Sequence, residues 1–354
     1  MTTTDYEIDF LAVGEGERSG DAIALRFGSF SPYKQSQEQA VVVIDGGTKK
    51  SGEELVEHIR RFYETNHVDL VFSTHPDCDH VSGLTRVLEE MTVGCLAMHQ
   101  PWNHSQAIKD EFTRQVSAGR LAHKIREELE AAHELEQLAL TKPIRIIEPF
   151  AGIGGFGYAL RVLGPSRSYY ESLLPQFRCT PAPKTLFTPL FAPVRPAVEF
   201  LAESMDVETL DDTSDRFSAE NSSSAVLLLT VGTDRILFTG DVDSVALTQA
   251  VDYAASIGID LSGLYLFQVP HHGSKQNVGP TILNRIRPRN AIVSAAPEGE
   301  PKHPSKKVTN ALIRRGAIVQ ATQGNTICFR RSISLLRSGW VPGPVIPFHN
   351  VVEK

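Results

Sequence analysis

Long apolar runs, a signal segment and paired cysteines are all missing from this 354-residue sequence. No stretch reaches the ~18 apolar residues of a membrane-spanning helix, and the N-terminus, MTTTDYEIDF, lacks the basic and apolar parts of a signal peptide. Four scattered cysteines are too few for a disulfide framework or a CxxC zinc site. We therefore expect a cytoplasmic protein with reduced thiols and without a membrane segment.

An excess of positive charge is also missing. The 35 lysines and arginines face 42 aspartates and glutamates, and the net charge of −7 argues against a protein that coats nucleic acid or membrane with its whole surface. The charge is uneven, because residues 201–220 carry a net −6 whereas residues 271–331 carry +9. A local basic site for an anionic ligand is therefore compatible with an acidic protein.

The apolar pattern alternates strands and helices in both halves of the chain. A helix is expected from Ser51, which forms an S-x-x-E capping box with Glu54. Further helices are expected within 105–140, from about 243, near 280–287 and from Ser305. Strands are expected at 22–27, 40–45, 69–74, 144–148, 158–163, 225–241 (a hairpin turning at Gly232), 264–269 and 291–296, followed by two final strands.

The length suggests two domains at about 150 residues each, but two halves with the same βα order indicate one layered domain. We place this domain at residues 1–335, with a helical insertion at 105–140 and a C-terminal tail at 336–354. Residues 166–219 lack clear periodicity and hold several prolines, so we expect a loop insertion that lies over the surface.

One polar cluster carries the strongest chemical signal. The sequence THPDCDHVSGL follows a predicted buried strand and offers four metal-ligating side chains within six residues: His75, Asp77, Asp79 and His80. A loop at the carboxyl end of a strand can turn such side chains toward one point. The cluster therefore predicts a metal site.

This cluster resembles the HxHxDH signature of the metallo-β-lactamase fold superfamily, with Asp77 in place of the second histidine. HxDxDH is typical of the branch that contains the hydrolase domain of the DNA-uptake protein ComEC and the bacterial phosphorylcholine esterases. Over residues 7–331, further segments resemble that branch in the same order: GDAIALRF and VVVIDGG as its two opening strands, LRVLGPS, ENSSSAVLLLTVGTDRILFTGDVD, FQVPHHGSK and AIVSAAPEGEPKHPSKKV.

The sequence differs from this branch in the segments outside the motifs. The N-terminal VGEGERSGDA replaces a compact VGQGDA, the loop 166–219 is far longer, and no channel-like segment is present. The resemblance implies an αββα sandwich, with two mixed β-sheets face to face and helices on both outer faces. It does not imply the substrate, because the long loop changes the surroundings of the pocket.

Residue by residue, the resemblance implies two metal sites. His75 and Asp77 would bind the first ion, and Asp79, which we also name as catalytic, and His80 would bind the second. The cofactors would be two divalent ions, Zn²⁺ or Mn²⁺, because a carboxylate in place of an imidazole hardens the first site.

The later motifs would complete the centre. Asp241 of TGD would bridge the ions and His272 of PHHGS would complete the second site, although the motif alone does not decide between His271 and His272. His271 and His303 would be catalytic or phosphate-binding groups. Ser274 and Lys275 would bind phosphate oxygens.

Some of these side chains have simpler explanations. Ser305 can cap a helix whose first turn holds the solvated Lys306 and Lys307. Asn221 and Ser223 can pin the following hairpin through hydrogen bonds.

Counting charges supports hydrolysis of a phosphodiester. Two divalent ions, three carboxylates and one hydroxide form a neutral centre that accepts an anionic phosphate, and metal binding lowers the pKa of water to about 7. We expect a dinuclear phosphodiesterase or nuclease-type enzyme acting on a nucleic acid or nucleotide. One alternative is a phosphorylcholine esterase-like or lactonase-like hydrolase, in which aromatic residues of the insertion (Tyr169, Tyr170 and Phe177) would line the pocket. The other is a partner-gated effector subunit.

Two further expectations concern partners and charge. A protein partner or a second copy of the chain remains open. We also hypothesise that the acidic insertion shields the basic segment, so that deleting residues 203–216 raises phosphodiesterase activity or DNA affinity.

Overall fold

The computed structural model describes residues 5–13, 19–30, 38–184, 200–212, 218–298, 303–331, 337 and 343–353. Residues 14–18 of the VGEGERSGDA stretch, Lys302 and parts of the 166–219 insertion lie outside these ranges. No helix in the described part of the chain has the length and apolar character that crossing a bilayer requires.

The first sheet has seven strands in the order β15-β1-β2-β3-β4-β5-β6. Strands β3 to β6 run parallel and the other neighbours antiparallel. The bounds are β1 Asp5–Phe10, β2 Ala22–Ser29, β3 Glu38–Gly46, β4 His67–Phe72, β5 Thr92–Ala97, β6 Arg145–Ile147 and β15 Ile327–Arg331.

The second sheet also has seven strands, in the order β14-β13-β12-β11-β10-β8-β7. Strands β11 to β14 run parallel and β11, β10, β8 and β7 antiparallel. The bounds are β7 Gly154–Gly155, β8 Leu160–Gly164, β10 Val226–Val231, β11 Asp234–Phe238, β12 Leu266–Gln268, β13 Asn290–Val293 and β14 Ile318–Ala321. A separate two-stranded sheet pairs β9 Phe200–Ala202 with β16 Val351–Glu353.

Helices cover the outer faces of both large sheets. Helices α1, α3, α5 and α6 pack on the first sheet, and α9, α10 and α11 on the second. The bounds are α1 Lys49–His58, α2 Cys78–Val81, α3 Leu84–Glu90, α4 Ser105–Ile108, α5 Ala118–Glu128, α6 Glu130–Thr141, α7 Arg167–Leu173, α8 Ala219–Ser222, α9 Ser244–Ser256, α10 Pro280–Ile286 and α11 Lys306–Arg314.

A third apolar core lies between the sheets and joins them. Phe10 of β1 stacks on Phe238 of β11 with ring centroids 6.3 Å apart. Because β2 is buried along nearly its whole length, its first four residues form a continuous apolar run, which ends at the buried Arg26. The four layers are helix, sheet, sheet and helix, and this confirms the predicted αββα class.

Three local predictions were wrong. The segments GDAIALRF and VVVIDGG form the second and third strands, because β1 precedes them; its inward-facing Tyr6, Ile8 and Phe10 alternate with acidic residues that interrupt the apolar run. Helix α1 begins at Lys49, and its cap is Thr48, whose Oγ1 accepts the Ser51 N–H. The described part of region 166–219 contains α7 and β9 rather than loop alone, and α8 begins at its last residue.

The C-terminal segment packs on the domain. Besides pairing with β9, it meets α11 where the Asn310 side chain bonds both the carbonyl and the N–H of His349, at 2.7 and 2.9 Å. The boundary of the domain at residue 335 stays a prediction.

Candidate metal centre

The loop after β4 carries the HPDCDH cluster at one end of the sandwich. The strand ends at Phe72, and α2 begins at Cys78, so that Asp79 and His80 lie in the first turn of α2. His75 and His80 are buried, whereas Asp77 and Asp79 are half-buried. The carboxyl ends of β11 and β12 bring the TGD and PHHGS loops to the same end.

Four histidines surround one carboxylate oxygen, Oδ2 of Asp241. Its distances to their Nε2 atoms are 3.9 Å for His75, 3.6 Å for His80, 3.9 Å for His271 and 3.9 Å for His272. The histidines of the HPDCDH and PHHGS loops therefore both lie around the aspartate of TGD, and Asp241 occupies the centre of the cluster.

Each of these histidines has a partner on its other ring nitrogen. Nδ1 lies 3.0 Å from Thr74 Oγ1 in His75, 2.9 Å from Asp45 Oδ2 in His80, 3.0 Å from Asn277 Oδ1 in His271 and 2.8 Å from the Ser294 carbonyl oxygen in His272. Such contacts fix the ring and leave Nε2 for a metal ion, as is typical of metal-ligating histidines. The tautomer of each ring follows from its outer partner.

The donor set fits divalent ions. His75 Nε2, His80 Nε2, Asp241 Oδ1 and Asp21 Oδ1 are buried without a hydrogen-bond partner in the described part of the chain. Unpartnered buried polar atoms are costly, and several carboxylates at one buried point need cations beside them. Three groups bring ligand atoms within 4.8 Å of one another: Asp45, His75 and His80; Asp79, His80 and His272; and Asp21, Asp241 and His272.

The environment of the cluster lowers the pKa of both Asp241 and His75. Burial alone would raise the pKa of Asp241, but His80 and His272 outweigh it and hold this pKa well below its usual value. Burial, together with the charge of His80, lowers the pKa of His75. Metal ligation requires the deprotonated form of both groups.

Two glycines with positive φ allow the loops to approach each other. Gly240 has a φ of 51°, and a Cβ there would lie 2.7 Å from Thr74 Oγ1. Gly273 has a φ of 78°, and a Cβ there would lie 2.7 Å from the Cβ of Pro304. A side chain at either position would combine backbone strain with a clash.

The predicted phosphate-binding residues form the border of the cluster. The His303 ring lies 6.3 Å from that of His271, and burial with the charge of His272 lowers the pKa of His303 to about 4. Ser274 is buried and Lys275 half-buried in the loop after the histidine pair. The structure thus places His271 beside Asp241 and the His303 ring beside His271, whereas Ser274 and Lys275 are near the cluster by their position in the chain.

Asp77 has a different neighbour from the other predicted ligands. Its two carboxylate oxygens lie 3.0 and 3.2 Å from Nη2 of Arg178, and Asp77 is absent from the three ligand groups found among the described residues. The proximity of Asp77 nevertheless raises the pKa of His75 within its net downward shift. The ligand role of Asp77 stays a prediction.

Sequence reasoning missed three residues of the centre. Asp21 and Asp45 lie in the quoted GDA and VVVIDGG segments, but no role was assigned to them. Asn221 was interpreted as pinning the hairpin, yet its Nδ2 lies 3.3 Å from Asp241 Oδ2. Asp21 and Asp45 each stand next to a glycine at one end of a predicted strand, and this position was the sequence signal that could have identified them.

Comparison with known proteins gives two partial sequence relatives, and no family model matches the chain. The chain is 29% identical over 114 residues to ComE operon protein 3 of Bacillus subtilis, covering 32% of this chain and 14% of that protein. It is 34% identical over 105 residues to Recombination protein 2 of Haemophilus influenzae, covering 29% and 12%. The matches thus span only a small part of both relatives.

The two seven-stranded sheets between helical layers, with the HxDxDH, TGD and PHHGS loops at one end, form the architecture that the motifs predicted. The chain has the metallo-β-lactamase fold. Solved structures similar to it include the metallo-β-lactamase fold protein YhfI of Bacillus subtilis, at 8% identity and a TM-score of 0.43, which covers 92% of this chain and 100% of that one. A diphosphatase of the PhnP family has 9% identity and a TM-score of 0.40, covering 93% and 98%.

Proposed function

We propose that this metallo-β-lactamase fold protein is a dinuclear metal-dependent phosphodiester hydrolase. The observation that carries the proposal is the convergence of four imidazole Nε2 atoms on Asp241 Oδ2, with buried unpartnered donors around it. Bound divalent ions would supply water of lowered pKa and stabilise negative charge on a phosphoryl oxygen.

The residues of the chain would divide this work by position. His75, His80, His272 and Asp241 would hold the ions, because their free ligand atoms point to one another from buried, hydrogen-bonded side chains. Asp79 would complete the second site with His80 and His272. Asp45, which binds His80, would keep the imidazole fixed during turnover.

The anionic class of substrate is supported by the groups at the border. The side chain of His271 is 37% exposed, so it is the most accessible of the four histidines around Asp241 and can reach a phosphate oxygen. Ser274 and Lys275 follow it directly, and His303 lies on the next loop. An imidazole, a hydroxyl and an ammonium group can bind phosphate oxygens through charge-assisted hydrogen bonds.

The test is hydrolysis by protein loaded with Mn²⁺ or Zn²⁺. We expect cleavage of bis-nitrophenyl phosphate and single-stranded DNA, and at least a hundredfold lower rate for Asp241→Asn. The matched control, Asp206→Asn, removes an exposed carboxylate of the acidic segment and should keep the wild-type rate. Equal rates for the wild type and Asp241→Asn would contradict the proposal.

A small-ester hydrolase is the second candidate, and one pocket favours it. Tyr169 of the insertion lines a cavity of about 170 Å³ together with Tyr253 and Ser224, and the Ser224 hydroxyl accepts the Asp241 N–H at 3.2 Å. Tyr170 and Phe177 pack in the first-sheet core instead. Faster cleavage of nitrophenyl phosphorylcholine than of DNA, with loss in Tyr169→Ala, would favour this candidate.

The expectations about partners and cellular location stay predictions. A protein partner, a second copy of the chain and a cytoplasmic location each need their own experiment. Activity of the isolated chain would argue against control by a partner, whereas activity only with a partner would support it.

A further inference from the structure

Arg178 connects the insertion to the candidate metal centre. Its Nη2 lies 3.0 and 3.2 Å from the two carboxylate oxygens of Asp77, and its Nε and backbone N–H bond Oε1 of Glu220 at 3.2 and 2.7 Å. One guanidinium thus joins the HPDCDH loop to α8, which carries Asn221. Arg178 belongs to the insertion 166–219, which is longer than the corresponding loop in the branch that the motifs resemble.

The backbone of Arg178 is held firmly in place. Its neighbours Phe177 and Cys179 are 2% and 3% exposed and belong to the first-sheet core. The Glu220 side chain is 1% exposed and also accepts the Ser218 hydroxyl at 2.8 Å. A buried carboxylate needs a charged or hydrogen-bonding partner, so Glu220 holds the Nε end of the guanidinium, while the Arg178 side chain as a whole is 69% exposed.

The contact with Asp77 follows the pattern of the other ligands. The four histidines around Asp241 each have an outer partner that fixes the ring, such as Thr74 for His75 and Asp45 for His80. Asp77 replaces a histidine of the HxHxDH signature, and a carboxylate needs a donor rather than an acceptor as its outer partner. One nitrogen of the guanidinium, Nη2, contacts both oxygens of Asp77 while Nε contacts Glu220, so the planar group holds two carboxylates in a fixed relation to each other.

We propose that Arg178 is a positioning residue that orients Asp77 for the first metal ion. The insertion therefore completes the metal centre instead of only covering it. This inference rests on the proposed metal-dependent function, because it assigns Arg178 to a ligand of that same centre.

The experiment is a calorimetric Mn²⁺ titration of the metal-free full chain. We expect two binding steps in the wild type and a 10- to 100-fold weaker affinity for one of them in Arg178→Gln, the loss typical of outer-partner substitutions. Arg178→Lys keeps the charge without the planar fork and should lie between the two. The matched control, Arg167→Gln, removes another arginine of the insertion that pairs with Glu148 and Glu171 and should bind like the wild type.

Repeating the substitution in an Asp77→Asn variant separates the loss of Asp77 orientation from a general loss of structure. In Asp77→Asn, the further substitution Arg178→Gln should weaken Mn²⁺ binding less than threefold, because the group it orients has changed. An equal loss in both backgrounds, or an unchanged isotherm for Arg178→Gln, would overturn the assignment. A wild type that binds no Mn²⁺ would instead contradict the metal-dependent function itself.

Discussion

At the scale of single residues, the centre depends on the atoms that hold the ligands. Asp45 has a φ of 51° at the end of β3 and accepts the Thr74 N–H at 2.8 Å and the Thr74 hydroxyl at 2.6 Å. The same carboxylate lies 2.9 Å from His80 Nδ1. Because Thr74 also contacts His75, one aspartate orients two histidines through three hydrogen bonds.

Asp45→Asn should weaken metal binding in addition to lowering the stability of the metal-free protein, because Asp45 is fully buried and accepts three hydrogen bonds. The amide cannot accept at both positions, so His80 and Thr74 lose their fixed orientation, while one negative charge leaves a buried acidic cluster. We expect a 10- to 100-fold lower Mn²⁺ affinity. Thermal unfolding with and without saturating Mn²⁺ measures this, and a metal-induced rise in Tm equal to that of the wild type would contradict the role of Asp45.

At the scale of elements, the insertion 166–219 contacts the first-sheet side of the domain at His104, which directly precedes the helical insertion. Its Nε2 lies 2.9 Å from Glu148 after β6, and its Nδ1 lies 2.9 Å from Glu171 of α7. Burial opposes the charged form, but the hydrogen bonds of Glu148 and Glu171 outweigh it and raise the pKa of His104 above 6.5. The contact therefore joins α7 to the first sheet most strongly when the imidazole is protonated.

His104→Gln should lower stability mainly at acidic to neutral pH. Because the native pKa is raised, the contribution of His104 is fully present below 6.5 and is lost as pH rises through the native pKa. We expect a loss of about 2 kcal/mol at pH 6, the range for a hydrogen bond to a charged group. Urea unfolding at pH 6 and pH 9 should show the difference shrinking, and a constant difference would contradict the prediction.

At the scale of the whole molecule, the acidic segment is built into the second half. Glu203 lies 2.9 Å from Arg314 and Glu208 lies 2.8 Å from Arg315, both on or directly after α11. Asp212 accepts the backbone N–H and the hydroxyl of Thr281 in α10. Part of the basic segment is therefore neutralised within the fold, and deleting residues 203–216 would also remove these contacts.

Glu203→Gln should cost about 3 kcal/mol of unfolding free energy, because it leaves a buried arginine without its carboxylate. The Glu203 side chain is 0% exposed and that of Arg314 is 8% exposed. Glu208→Gln is the comparison variant: Arg315 is as buried as Arg314, but Glu208 is 24% exposed, and the solvent around its carboxylate should limit the loss to about 1 kcal/mol. Equal losses in urea unfolding would contradict the assignment of Glu203 as the anchor.

The sequence alone determined the layered class and the loops that carry the centre. Apolar runs bounded by glycine indicated most strands, because burial on both faces leaves a continuous signal. Strand β1 escaped detection because Glu7 and Asp9 interrupt its apolar residues, although both are buried. HPDCDH was recognisable because its candidate ligands lie within six residues of one another.

Only the tertiary structure decided what surrounds those ligands. Asp45 is 35 residues from His80, and Arg178 is 101 residues from Asp77. Contacts over such distances arise when strand ends and an insertion are packed together, and no local pattern of residue types records them. The sequence therefore indicated most of the side chains that could bind metal, whereas packing added Asp21 to the ligand groups and decided that Asp45, Asn221 and Arg178 lie against the predicted residues.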